Sequence, residues 1–213
     1  VTLFTAIPAQ AERIGAGIEI LNLPGANNTF DTSTDGVNDQ SRQNIDQSFT
    51  ATFGPGLFEA TSWGFRAGQT GSVIPYVAKA TGPDSYEILA VGQQIDVFAE
   101  IVGVDLEPIP FGGNTFYLDA PTVLYAGIVN PMVPGSQNPV ATNLNSGFQM
   151  DHDNNFDGQM SPAIVGGAVG GFGHANLARS YAFSIDVNAV PEPTAICLTL
   201  IVGAVALFKL RRA

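Results

Sequence analysis

The chain has 213 residues, among them 24 glycines, 14 prolines and one cysteine, and it carries 19 acidic against eight basic side chains, a net charge of −11. A surface of that sign repels nucleic acid and anionic membranes and attracts cations, so nucleic-acid binding is excluded. A lone cysteine rules out a disulfide framework, and the fold must rest on its apolar core, on bound metal, or on both.

Val1–Ala11 reads V-T-L-F-T-A-I-P-A-Q-A and closes on Ala9-Gln10-Ala11. It fits the back half of a secretory signal peptide with an A-x-A cleavage site, which would make Glu12 the mature start. The alternative is an ordinary first strand over Val1–Ile7. Residues 12–189 contain no 3.6-residue apolar period lasting three turns, whereas alternation with period two is frequent. Turn signals separate about nine candidate strands: Gly17–Leu23, Phe49–Phe53, Phe58–Phe65, Val73–Lys79, Tyr86–Val91, Ile95–Val102, Thr115–Leu118, Val123–Val129 and Ser180–Val187. Tyr86–Val91 and Ile95–Val102, divided by Gly92-Gln93-Gln94, read as a hairpin, and Pro75 marks an edge or irregular strand. Asn130–Asn145, with three prolines, reads as a long surface loop. With no internal boundary, the expectation is one all-β domain, a jelly-roll-like β-sandwich.

Two loops share the pattern D-x-[SN]-x-D-G. Asp31, Ser33 and Asp35 precede Gly36, with Asp39 nearby; Asp153, Asn155 and Asp157 precede Gly158, with Asp151 nearby. Alternate oxygen-bearing side chains followed by glycine form the first half of a calcium loop. The second half is absent, because Arg42 and Ile164 stand where a bidentate glutamate belongs. Calcium is therefore a candidate cofactor only if other parts of the fold add ligands; the competing reading is ordinary turn chemistry. His152 and His174 show no zinc or copper spacing and read as a turn and a strand-edge histidine.

Catalytic motifs are missing. Gly166–Gly173 is glycine-rich but lacks the lysine and hydroxyl residue of a phosphate loop. Glu59, Glu87, Glu100 and Glu107 could be paired for glycoside hydrolysis in many ways, so their presence discriminates nothing. A non-enzyme is expected. Trp63, the only tryptophan, is either a core residue of Phe58–Phe65 or a platform for a sugar ring.

The last segment, 190–213, runs from Val190 through Pro191-Glu192-Pro193 and an apolar stretch over Ala195–Phe208 to Lys209, Arg211 and Arg212. Two prolines keep the tripeptide extended and poor in donors. A nearly unbroken apolar stretch of fourteen residues makes a short transmembrane helix, and the basic cluster after it directs the C-terminus to the cytoplasm. These three elements in this order resemble the sorting signal of PEP-CTERM proteins. The resemblance implies processing by an exosortase-type enzyme at Pro191, Glu192 and Pro193, a transient single-pass membrane stage, and delivery to the cell surface or matrix of a bacterium making exopolysaccharide. Tyr86–Gly92 and Asp151-His152-Asp153 are also similar to stretches of exported β-sandwich proteins of no assigned activity. The expected role is a non-enzymatic surface or matrix protein, with an exopolysaccharide-associated carbohydrate-binding module as the alternative.

Overall fold

The computed structural model describes residues 11–23, 43–83, 85–130, 139–143, 150–152, 165–170, 174–176 and 180–191. The described elements are all β apart from two 3₁₀ turns, Ile18–Asn22 and Ala99–Ile101. In chain order the strands are β1 (Glu12–Ile14), β2 (Gln43–Asp46), β3 (Ala51–Phe53), β4 (Gly56–Arg66), β5 (Gly71–Gly82), β6 (Ser85–Val91), β7 (Ile95–Val97) and β8 (Asp105–Leu118). They continue with β9 (Thr122–Val129), β10 (Thr142–Asn143), β11 (Met150–His152), β12 (Ala168–Gly170), β13 (His174–Asn176), β14 (Ser180–Tyr181) and β15 (Phe183–Ala189).

A four-stranded sheet has the order β1-β15-β4-β8. A wider sheet runs β12-β6-β5-β9-β2-β11-β13, with β3 also on β9 and β7 also on β5. All pairings are antiparallel. The sheets share one apolar layer. Phe58, Trp63 and Phe65 of β4 and Phe183, Ile185 and Val187 of β15 join Val73, Val77, Leu89, Leu124 and Ile128 of the wider sheet. Each such buried side chain contributes about 1.5–3 kcal/mol. The opposite face of the wider sheet is also apolar and buried, through Ile45, Ile74, Tyr76, Ala78, Tyr86, Ile88 and Val129.

Strand β4 carries an extra residue at Thr61. Ala60 pairs with Val187 and Ser62 with Asp186, so one position of β4 has no counterpart on β15. The bulge reverses the phase of the strand. Before it Phe58 and Ala60 face the core; after it Trp63 and Phe65 do, stacked with ring centroids 4.9 Å apart. On the other side β8 bulges more widely. Its pairing with β4 steps from Asn114 to Pro110, and the intervening Gly112 (φ 111°) and Gly113 (φ 70°) adopt conformations that favour glycine.

Several expectations are corrected. Tyr86–Val91 and Ile95–Val97 do not form a hairpin; both pair with β5, as one strand interrupted at Gly92–Gln94. Pro75 lies inside a central strand, opposite Ile128 on β9. Its carbonyl accepts from Gly92 N at 2.8 Å, so the side where proline lacks a donor faces that interruption. Gly17–Leu23 is a 3₁₀ turn rather than a strand. Ile95–Val102 gives only three strand residues before the second turn. Within the expected surface loop 130–145, Val140 and Ala141 are buried and Val140 bridges Ala67. Strand β8 is far longer than Thr115–Leu118, since Pro108, Pro110, Gly112 and Gly113 are absorbed rather than ending it.

Gly127 of β9 faces Tyr76 of β5 across the wider sheet, and a Cβ at this position would overlap the Tyr76 ring. Gly127→Ala is expected to lower unfolding stability by about 1–3 kcal/mol, the usual range for overpacking. Urea unfolding would show it as an earlier midpoint at unchanged slope; an unmoved midpoint contradicts the packing described.

Candidate functional site

The outer face of the four-stranded sheet carries a polar row set by strand register. Arg13 pairs with Asp186, Asp186 with Ser62, and Ser62 with Pro110. Asp186 uses both carboxylate oxygens. Arg13 Nε donates to Oδ1 at 3.1 Å and Ser62 Oγ to Oδ2 at 2.7 Å. The Thr61 hydroxyl donates to the Asp186 carbonyl at 3.3 Å, tying the bulge to β15. Glu19 stands 3.7 Å from Arg13. The hydrogen bond to Asp186 raises the Arg13 pKa against the opposing effect of burial, and the nearby charges of Asp186, Glu19 and Glu107 add to the rise. Half-exposed ion pairs of this kind contribute about 0–1 kcal/mol.

Beside the row lies an open cleft of about 340 Å³, lined by Arg13, Trp63, Gly64, Glu107, Ser184 and Asp186 among others. Gly64 makes room for it, because a Cβ there would come 2.5 Å from Glu107 Cβ. Glu107 and Asp186 line the cleft and Glu19 stands beside Arg13, so carboxylates outnumber the one guanidinium. The cleft offers acceptors for hydroxyl or cationic groups, while both oxygens of Asp186 are already engaged.

The carboxylates considered for hydrolysis are scattered. Glu59 pairs with Thr115 on β8, and Glu87 bonds Lys79 at 3.1 Å. Glu100 lies in the second 3₁₀ turn. Glu59 is five residues from Gly64 along β4, roughly 15 Å from the cleft and beyond the spacing of a hydrolytic pair.

Trp63 is corrected as a sugar platform. It is 1% exposed and stacks on Phe65, so neither ring face is open to a ligand. The bulge at Thr61 turned it inward. Its indole N–H has no hydrogen-bond partner among the described residues. Tyr117, one of the aromatic residues the sequence offers beside Trp63 for stacking on a sugar, is 66% exposed on this outer face, opposite Leu57.

Of the calcium residues, Asp31, Ser33, Asp35, Asp39, Asp153, Asn155 and Asp157 lie outside the described residues. Asp151 belongs to strand β11 rather than to a loop, between Ile45 of β2 and Ala175 of β13. Among the described residues no group of three metal-ligating side chains is assembled. The last strand ends at Ala189; Val190 N then donates to Leu57 O at 2.8 Å and Pro191 is exposed. Glu192, Pro193, the apolar stretch and Lys209, Arg211 and Arg212 lie outside the described residues. Among the described residues no helix is long and apolar enough to cross a membrane.

Sequence reasoning passed over Asp46, which is fully buried at the end of β2. Its Oδ1 accepts from the backbone of Ser48 at 2.9 Å and Phe49 at 3.1 Å, an aspartate-centred turn. Its Oδ2 is buried without a partner. Burial dominates, and despite amide bonds from Ser48, Phe49 and Ala16 the carboxyl is pushed up to about 6.

No family model matches the chain, and no curated protein matches it. Among solved structures it is similar to the cysteine protease and lectin-like domains of Cwp84, a surface layer associated protein of Clostridium difficile. The identity is 7%, the match covers 71% of this chain and 32% of that one, and the TM-score is 0.39. The chain thus spans about a third of that structure's length, and a likeness of this degree carries no argument about activity.

Asp46 makes stability depend on pH in a stated direction. Between about pH 4 and 6 the native state holds a proton that the unfolded chain, with a carboxyl near 3.8, has released. Stability contributed by this group is therefore full at the acid end, falls as pH rises through that window, and is lost above it. Asp46→Asn should abolish this slope, a difference on the order of 3 kcal/mol between the ends of the window. Parallel unfolding curves of the two proteins across pH 4–7 would exclude it.

Proposed function

We propose that the chain is an exported, non-enzymatic surface or extracellular-matrix protein that passes through a PEP-CTERM-type sorting step. The observation carrying this reading is the segment after the last strand: Pro191-Glu192-Pro193, the apolar run Ala195–Phe208, and Lys209, Arg211 and Arg212 in that order. The exposure of Pro191 just beyond β15 suits an enzyme that must reach extended backbone. In this reading the apolar run is a transmembrane helix with a cytoplasmic end, removed on processing. The partners are the membrane, an exosortase-type enzyme and exopolysaccharide.

The fold assigned to the exported part is a jelly roll. Numbering β1, β2, β4, β5, β6, β8, β9 and β15 from one to eight, the sheets read 1-8-3-6 and 2-7-4-5, the order two nested Greek keys produce. Calcium remains part of the proposal through Asp31–Asp39 and Asp151–Asp157, with further ligands supplied from elsewhere in the fold.

A second reading, carbohydrate binding, is favoured by one observation: Tyr117 is open on the same face as Glu59, Thr115 and the acidic cleft. Its ring can stack on a sugar while flanking acceptors hold hydroxyls.

Expression in a bacterium that encodes an exosortase-type enzyme tests the leading reading. The surface-released protein should end near Pro191–Pro193 by mass spectrometry, and Glu192→Ala should leave the full chain in the membrane. Release of an uncut chain, or cleavage indifferent to Glu192, overturns it. For the second reading, Tyr117→Ala should weaken retention on the producer's exopolysaccharide at least tenfold. Equal retention of the variant removes that reading.

A further inference from the structure

The cleft on the outer face of the four-stranded sheet contains polar groups that the row around Asp186 does not use. Ser184 lies on β15 between Phe183 and Ile185, both core residues, so alternation sends its hydroxyl to the outer side, where it lines the cleft. It is 4% exposed and stands opposite Gly64, which has no side chain to meet it. Its hydroxyl makes no hydrogen bond among the described residues. A buried hydroxyl in that state is unfavourable until water or a ligand supplies its partner. Glu107 lines the same cleft from β8, and its carboxylate also has no hydrogen-bond or ion-pair partner among the described residues. Arg13 differs, because its Nε is committed to Asp186 at 3.1 Å and its charge is further balanced by Glu19 at 3.7 Å. What Arg13 adds to the cleft is N–H donors.

From these unused groups we infer that the cleft is a subsite for a hexosamine residue, an amino sugar with a free ammonium group. Glu19, Glu107 and Asp186 leave an excess of negative charge over the one guanidinium. That excess, on a chain of net charge −11, repels uronic acids and sulfated sugars and favours a cation. A neutral sugar would leave Glu107 without a charge partner. The ammonium pairs with Glu107, while ring hydroxyls accept from the Arg13 N–H groups and exchange a hydrogen bond with Ser184. A volume of about 340 Å³ is at the small end for ligand pockets and suits one sugar ring. This deepens the carbohydrate reading, on which it rests, by naming the sugar. Tyr117, paired with Leu57, lies roughly 20 Å along β4 from Gly64 and so meets a different sugar of the same polymer.

NMR titration of the full-length chain in detergent with glucosamine, galactosamine and mannosamine, each beside its N-acetyl form, tests this. At least one hexosamine should bind, and its acetylated form, which has lost the charge, should bind at least tenfold more weakly. Glu107→Gln, of the same size but uncharged, should weaken hexosamine binding at least tenfold. Ser184→Ala should weaken it at least threefold at an unchanged melting temperature, because the hydroxyl has no partner in the free protein. The assignment fails if no hexosamine binds, if the acetylated forms bind equally well, or if either variant binds as wild type does. It also fails if Ser184→Ala weakens binding only by lowering the melting temperature. Should Tyr117→Ala still lose exopolysaccharide in any of these cases, the carbohydrate reading stands and the cleft is removed from it.

Discussion

A strand presents its side chains alternately to two faces, so one extra residue redirects everything that follows it. In β4 that residue is Thr61. Without the bulge, the alternation begun by Phe58 and Ala60 would carry Ser62 and Gly64 into the core and expose Trp63 and Phe65. With it, the two large rings stack inside, and Ser62 and Gly64 form part of the outer surface. The apolar layer between the sheets and the polar cleft outside them are thus two consequences of one register shift. The Thr61 hydroxyl, bonded to the Asp186 carbonyl, fastens the shift to the neighbouring strand.

The wider sheet works under a different constraint, because both of its faces are buried. A strand covered on both sides has little use for polar alternation, and β5 and β9 are accordingly apolar along most of their length. Close packing then depends on complementary volumes. Gly127 leaves the space that Tyr76 fills, and Gly92 leaves space beside Pro75 and Phe111. Pro75 is accommodated in the middle of the sheet because the strand facing its missing donor is itself interrupted. Asp46 is the exception to the apolar rule, a buried carboxyl retained where it closes a turn.

Functional chemistry is distributed unevenly between the domain and the segment after it. The domain offers an acidic surface, an open cleft built around Asp186, and an exposed tyrosine, Tyr117. The segment from Val190 carries a Pro-Glu-Pro tripeptide, an apolar stretch and a basic cluster, an order that does not depend on how the domain packs. The exported reading rests on that segment and the carbohydrate reading on the domain's outer face, and they are compatible.

The period-two alternation of Tyr181-Phe183-Ile185-Val187, the apolar runs at Tyr86 and Val123, and the absence of any helical period were enough to read an all-β chain with most of its strands. They were enough because alternation is a local property of the backbone. Charge, the lack of cysteine in the domain and the tripeptide-apolar-basic order of the last segment were equally open to inspection. Tertiary structure alone decided that Trp63 is core, that Tyr86–Val91 and Ile95–Val97 share one partner instead of pairing together, and that 140–141 is buried. It also decided that Arg13, Ser62 and Asp186 form one row. Each of these depends on which residue of a distant strand lies opposite. A bulge or a one-residue slip changes that pairing while leaving the local pattern of apolar and polar residues the same.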